Sequence, residues 1–134
     1  MHRLGRRGAF LVTLGVAWIG YGYGIASDPR YGTARGLAHI TKYVALDVLG
    51  WGWVVCGVLA VAAAVAGLRA QPLGFAAIGV PAGLWGAAYT VTWGSGAYPP
   101  AWSSAGAWCG FALGIVWVSG MQECPHTQGV PRWT

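Results

Sequence analysis

The sequence is poor in charge. Only 8% of its 134 residues are Asp, Glu, Lys or Arg, whereas soluble domains carry roughly 25%. This shortage excludes an ordinary soluble globular domain. A disordered chain is excluded as well, because nine Trp, six Tyr and three Phe make the sequence far too apolar to stay solvated. We therefore interpret the chain as an integral membrane protein, short enough to form a single domain.

The sequence also lacks the motifs of catalysis and metal binding. No HExxH, phosphate-binding loop, dinucleotide-binding glycine motif or Ser-His-Asp arrangement is present. Three cysteines without CxxC spacing form no disulfide framework. Glu123, Cys124 and His126 cluster near the C-terminus, but without a second ligand pair they do not predict a metal centre. We expect a protein that is not an enzyme, with no cofactor and no metal.

Four apolar segments are each long enough to cross a bilayer core of about 30 Å as a helix. They cover residues 8–26, 44–68, 73–93 and 101–121, and Asp47 is the only charged residue within them. Long apolar runs cross lipid as helices, because a helix satisfies its own backbone. The sequence thus predicts an all-α bundle of four transmembrane helices in one domain, followed by a short polar tail over residues 122–134. In the longest connection, Leu37, Ile40 and Val44 recur at helical spacing, which predicts a short interfacial helix before the second span.

The basic residues predict how the chain is oriented. Five arginines would lie on the side of the termini and three basic residues on the other side. The positive-inside rule then places both termini in the cytoplasm and the protein in the cytoplasmic membrane; the alternative is the opposite orientation. Because the basic residues flank apolar runs and form no continuous stripe, we expect the lipid bilayer as partner and no nucleic acid. A second interpretation is a signal peptide cleaved after Ala26.

Many Trp and Tyr residues lie near the ends of the predicted spans. Both residue types favour the headgroup level, where the ring is apolar and its polar tip is wet. The sequence predicts that these residues form an aromatic belt; the alternative is a ligand cage. The residues are Trp51, Trp53, Trp93, Trp102, Tyr21, Tyr23, Tyr43 and Tyr98.

Asp47 is the one acid inside a predicted span. An intramembrane acid is a functional candidate because burial of its charge is costly, and a small transporter would use it as a proton relay. However, Asp47 lies near the start of its helix, where the helix dipole favours a carboxylate. We favour the interpretation of Asp47 as an interfacial helix-start residue.

Glycine rows suggest close helix packing. The fourth span carries Gly106, Gly110 and Gly114 at four-residue spacing, and the third carries Gly79 and Gly83. Such rows let two helix backbones approach closely in a membrane. We expect the two rows to meet within one chain, because the short connection forces spans three and four together. The alternative is packing between copies of the chain.

The stretch WIGYGYGIASDPRYGTARGL, followed after a gap by VLGWGWVVCG, resembles a group of small four-span membrane proteins of actinobacteria and their phages. That group has no assigned activity, so the resemblance implies a fold and no functional residues. Small multi-span phage proteins are similar to holins in size and topology. We therefore expect a self-associating membrane protein, holin-like in a phage. The alternatives are an accessory or scaffold subunit of a larger membrane complex, and a small transporter that uses Asp47.

Overall fold

A computed structural model describes residues 5–121 of the chain, and all regular secondary structure in this part is helical. The helices are α1 (Arg6–Ser27), α2 (Tyr31–Gly36), α3 (Leu46–Ala66), α4 (Gln71–Gly94) and α5 (Ala101–Gly120). Four of them, α1, α3, α4 and α5, are long and apolar enough to cross a membrane. Their ends lie within two residues of the predicted bounds. The predicted polar tail lies outside the described residues.

Local chemistry explains where the helices begin and end. Helix α3 ends before Gly67, whose φ of +97° is a conformation that L side chains rarely adopt. Pro72 stands in the first turn of α4, where its missing N–H removes no helical bond. Pro99 and Pro100 immediately precede α5. Because the connections after α3 and after α4 are short, α3, α4 and α5 run alternately up and down.

The short helix before the second span lies earlier than the sequence predicted. Helix α2 ends at Gly36, and residues 37–44 form hydrogen-bonded turns instead of a helix. Leu37, expected on the interfacial helix, is fully buried in the core. The chain turns there because it must pass from the surface of the bundle back into α3.

Helices α1 and α3 pack backbone against backbone. A Cβ atom added to Gly15 would lie 2.8 Å from the Gly57 carbonyl oxygen, and one added to Gly22 would lie 2.5 Å from the Gly50 carbonyl oxygen. These pairs define an antiparallel contact, which we call the α1–α3 seam. Glycine is required here because any side chain would separate the helices. In the sequence, the seam is marked by glycines seven residues apart, Gly15 and Gly22 in α1 and Gly50 and Gly57 in α3. This spacing differs from the four-residue spacing of the glycine rows considered above.

The remaining helices are arranged around α4. Helix α4 packs against α3, α5 and α1, and 44% of the residues in its most apolar 18-residue stretch are buried. Helix α5 packs mainly on α4, and only 17% of the residues in the corresponding stretch of α5 are buried. The bundle therefore has a buried helix, α4, and a peripheral helix, α5. The start of α1 and the end of α5 meet at one end of the bundle, here called the terminal end; the other end, with α2, is the loop end.

Candidate functional site

The centre of the bundle is filled by aromatic rings from all four long helices. Trp53 of α3 lies in the middle, with ring centroids 5.0–5.2 Å from those of its four neighbours. The rings meet edge-to-face or tilted, arrangements that their quadrupoles favour by about 0.5–1.5 kcal/mol per pair. We call this the aromatic cluster; its members are Trp18, Tyr21, Trp53, Trp85 and Trp108.

Two of the three buried indole N–H groups in the aromatic cluster have hydrogen-bond acceptors. Trp18 donates to the Ile78 carbonyl at 3.1 Å, and Trp85 donates to the Tyr21 hydroxyl at 3.1 Å. The Trp53 Nε1 has no partner among the described residues, although Trp53 is only 2% exposed. The cluster is therefore a packed core that joins the four helices.

This arrangement corrects the predicted aromatic belt at two residues. Trp53 and Tyr21 point into the bundle. Trp51 and Tyr23, two residues away from them, are exposed, and the centroids of their rings are 6.5 Å apart. Residues two apart on a helix lie on nearly opposite sides, so only one of each pair can face lipid. Trp93, Trp102 and Tyr43 are exposed, as residues of a belt must be.

The prediction that the two glycine rows meet is wrong. A Cβ atom added to Gly106, Gly110 or Gly114 would meet no atom of the described chain within 4 Å. The same holds for Gly83, and at Gly79 the nearest atom is Cγ2 of Ile115, at 3.3 Å.

Helices α4 and α5 meet through other residues. A Cβ atom added to Gly86 would lie 2.9 Å from Cys109 Sγ and 3.1 Å from the Cys109 backbone nitrogen. Helix α5 buries Ala101, Ala105 and Ile115. At about 100° per residue, Gly106 and Gly110 lie on the opposite side from these residues. They therefore face away from the rest of the described chain.

The outward side of α5, together with the adjoining edge of α4, forms an apolar surface. A groove of about 330 Å³ runs between the two helices near the loop end, and Gly106 is one of its lining residues. Leu113 and Trp117 continue the exposed surface toward the terminal end. We call the side of α5 that bears Gly106, Gly110, Leu113 and Trp117 the outer α5 face.

Asp47 lies in the first turn of α3 and is exposed. Its Oδ1 accepts a hydrogen bond of 2.8 Å from the Val48 backbone N–H. At this position the carboxylate faces the positive end of the helix dipole. The structure places Asp47 outside the core of the bundle, away from the aromatic cluster.

At the loop end, α2 is held against the end of α4. The buried Thr92 hydroxyl donates to the Gly36 carbonyl at 2.8 Å and lies 3.4 Å from His39 Nδ1. Since the hydroxyl has one proton, and it points to Gly36, the Nδ1 contact requires His39 to act as donor. The Tyr89 ring packs directly against Gly36. These contacts fix the connection between α1 and α3.

Outside the spans, Arg35 of α2 is paired with Tyr31. Arg35 Nε donates to the Tyr31 hydroxyl at 2.7 Å. This hydrogen bond raises the pKa of Arg35 further above its already high usual value. Arg35 therefore remains a cation at the loop end.

At the terminal end, three helices converge in what we call the terminal corner, formed by Arg7, Gln71, Phe75 and Ser119. Arg7 Nη2 donates to the Ser119 carbonyl at 2.9 Å, and the guanidinium lies 5.1 Å from the centroid of the Phe75 ring. The Ser119 carbonyl is in the last turn of α5, where carbonyls have no helical partner and a cation is favourable. Arg7 thus joins the start of α1 to the end of α5.

The described residues contain no group of three His, Cys, Asp or Glu side chains placed to hold a metal ion. Cys56 and Cys109 are free thiols. Glu123, Cys124 and His126, the cluster considered from the sequence, lie outside the described residues. No residues in the described part of the chain are therefore assigned to a metal or cofactor.

Comparison with known proteins adds no relative: no protein-family model, curated protein or solved structure matches this chain significantly. Fold and composition define the class of protein on their own. Four apolar helices of membrane-spanning length, packed around an aromatic centre, form a small integral membrane protein.

Proposed function

We propose that this protein is a non-enzymatic membrane protein that self-associates through the outer α5 face. The supporting observation is that a Cβ atom added to Gly106 or Gly110 would have no atom of the described chain within 4 Å. Both residues lie on α5, the least buried of the four long helices. In lipid, helix association depends on close backbone approach and dispersion contacts, and glycines allow both. A second copy would cover this face.

We also propose that the protein lies in the cytoplasmic membrane with the terminal end inside. The sequence carries five arginines on the side of the termini, of which Arg6, Arg7 and Arg69 lie in the described part of the chain, against Arg30, Arg35 and Lys42 at the loop end. The positive-inside rule favours this orientation. Copies inserted in the same orientation would meet with their α5 helices parallel, which suits a two-fold symmetric contact.

The decisive test compares two glycines that face outward from the bundle, Gly110 and Gly52. In a cysteine-free background, Ser103→Cys on α5 would report association by copper-catalysed disulfide formation in membranes. Gly110→Leu should insert normally, because leucine is favourable in lipid, but should abolish the disulfide dimer. Gly52→Leu, at an equally open position on α3, should leave the dimer unchanged. An undiminished dimer in Gly110→Leu would contradict the proposal.

A holin-like role is the more specific form of this proposal, for a chain encoded by a phage. Controlled expression should then collapse the membrane potential and stop growth, and Gly110→Leu should prevent both effects. If the chain is instead an accessory subunit, the outer α5 face would dock on a different membrane protein. Cross-linking from Ser103→Cys would then yield a mixed product in its native host and no homodimer.

A further inference from the structure

Asp47 is an exposed carboxylate at the loop end. Its Oδ1 accepts the hydrogen bond from the Val48 backbone N–H, and within residues 5–121 the side chain forms no ion pair. Asp47 stands in the first turn of α3, at the depth where a transmembrane helix meets the headgroups. An N–H or O–H donor of a lipid headgroup can therefore reach the open side of the carboxylate.

The ring of Trp51 lies one helical turn after Asp47 on the same side of α3. Residues four apart on a helix are neighbours, and helical side chains lean toward the N-terminus, so the Trp51 ring extends toward Asp47. Trp51 is 54% exposed. Indole is the aromatic ring that attracts cations most strongly. An ammonium group at this place would be attracted both by the carboxylate and by the ring.

Helix α1 holds the Trp51 ring in position. The α1–α3 seam brings the two backbones together beside it, since a Cβ atom added to Gly50 would lie 2.7 Å from the Ala26 nitrogen. On the outer side of the seam, the centroids of the Tyr23 and Trp51 rings are 6.5 Å apart and the ring planes are 80° from parallel. This contact restricts the indole before any ligand binds, so less entropy is lost on binding. Tyr23 is thus a positioning residue.

The surroundings favour a lipid over a soluble amine. Val55, one turn deeper than Trp51 on α3, is 56% exposed and offers an apolar surface to an acyl chain. The loop end also carries the exposed cations Arg30, Arg35 and Lys42. These cations would repel a simple ammonium ion, but they would attract the phosphate of a zwitterionic headgroup.

We propose that the loop end of the α1–α3 seam binds a phospholipid whose headgroup carries a primary ammonium, the chemistry of phosphatidylethanolamine. The ammonium donates to the Asp47 carboxylate and lies against the Trp51 ring. Phosphatidylcholine has the same net charge, but its quaternary ammonium has no N–H to donate. The site lies on α1 and α3, so it is independent of self-association through the outer α5 face.

Native mass spectrometry of the full-length protein in detergent micelles tests the proposal, since it resolves individual lipid adducts. Phosphatidylethanolamine and phosphatidylcholine with the same acyl chains are titrated in parallel. We expect phosphatidylethanolamine to bind roughly fivefold more tightly, the value of about one hydrogen bond. Millimolar phosphoethanolamine, the free headgroup, should not displace the lipid, because it lacks the acyl chains; displacement would contradict a lipid ligand.

Variants of the two acids test the contact with the carboxylate. Asp47→Asn should bind the two lipids equally. Asp28→Asn is the matched control, because it removes the same charge at the same end of the bundle, while the residue one turn before Asp28 is Gly24 and supplies no ring. This control should keep the preference. Equal binding of the two lipids to the wild-type protein would overturn the proposal, as would a preference that survives Asp47→Asn or disappears in Asp28→Asn.

Variants of Trp51 test the contact with the ring. Trp51→Leu keeps an apolar side chain and should weaken the binding of both lipids roughly threefold. Trp51→Phe retains an aromatic face and should recover part of that loss. All of the changed residues are exposed, so the variants should fold, and circular dichroism checks their helix content. Unchanged binding in Trp51→Leu, or an equal loss in Trp51→Leu and Trp51→Phe, would overturn the contact between the ammonium and the ring.

Discussion

The α1–α3 seam makes a sharp prediction about two glycines only two residues apart. A Cβ atom added to Gly22 would lie 2.5 Å from the Gly50 carbonyl oxygen, 2.7 Å from the Trp53 Cβ and 2.8 Å from the Val54 nitrogen. Real Cβ atoms essentially never approach other atoms within 3.0 Å, so the two helices would have to separate by at least 0.5 Å at this point. The obstacle is backbone on α3, which cannot move aside as a flexible side chain would.

The cost can be estimated from known overpacking effects. Extra methyl groups in a well-packed core destabilise by about 1–3 kcal/mol, and the separation would also weaken dispersion contacts along the seam. Alanine recovers about 1 kcal/mol of helix propensity relative to glycine. We therefore expect Gly22→Ala to lower the free energy of unfolding by roughly 1–2 kcal/mol.

Gly24 provides the matched control, because a Cβ atom added there meets nothing within 4 Å. Gly24→Ala should be neutral or stabilise the protein by up to about 1 kcal/mol. Both variants would be unfolded reversibly in mixed micelles of mild detergent and sodium dodecyl sulfate, with helix content followed by circular dichroism. Equal stability of Gly22→Ala and Gly24→Ala would refute the backbone contact and the pairing of α1 with α3.

Four further predictions concern the docking of α2, Asp47, the N-terminus and the orientation. Thr92→Val removes the buried donor to the Gly36 carbonyl and should cost about 1–2 kcal/mol, with faster proteolysis between residues 28 and 44; an unchanged cleavage rate would argue against the docking of α2. Asp47→Asn should insert and fold like the wild type, because only a polar helix-start residue is needed, whereas loss of a measured proton-coupled flux in a normally folded variant would favour the transporter. Since α1 supplies core residues to the bundle, the intact mass of the membrane-extracted protein should include residues 1–26. Reporter fusions after residue 70 should read cytoplasmic and those near residue 97 external, and a cytoplasmic signal at residue 97 would contradict the orientation.

The functional hypotheses were affected unequally by the structure. The transporter hypothesis loses support, because Asp47 is exposed at a helix start and not inside the bundle. The glycine row on α5 was expected to pack against α4 of the same chain. It faces outward instead, so it is a candidate for contact between copies. Gln71 was not a candidate from the sequence, where it stands in a turn between two spans. Its burial follows from the packing of the helices, which the sequence pattern does not show.

The sequence by itself determined the number, type and bounds of the spanning helices. Bilayer thickness fixes the length of an apolar run, and the need to satisfy the backbone in lipid leaves the helix as its conformation. Only the tertiary structure decided which face of each helix is inside. In soluble proteins, an apolar stripe marks that face, but α3, α4 and α5 are almost uniformly apolar around their axes. Trp51 and Trp53 are the same residue type, two positions apart, yet one is exposed and the other lies in the aromatic cluster. Packing separates them, because the glycines of the α1–α3 seam fix the rotation of α1 and α3 about their axes.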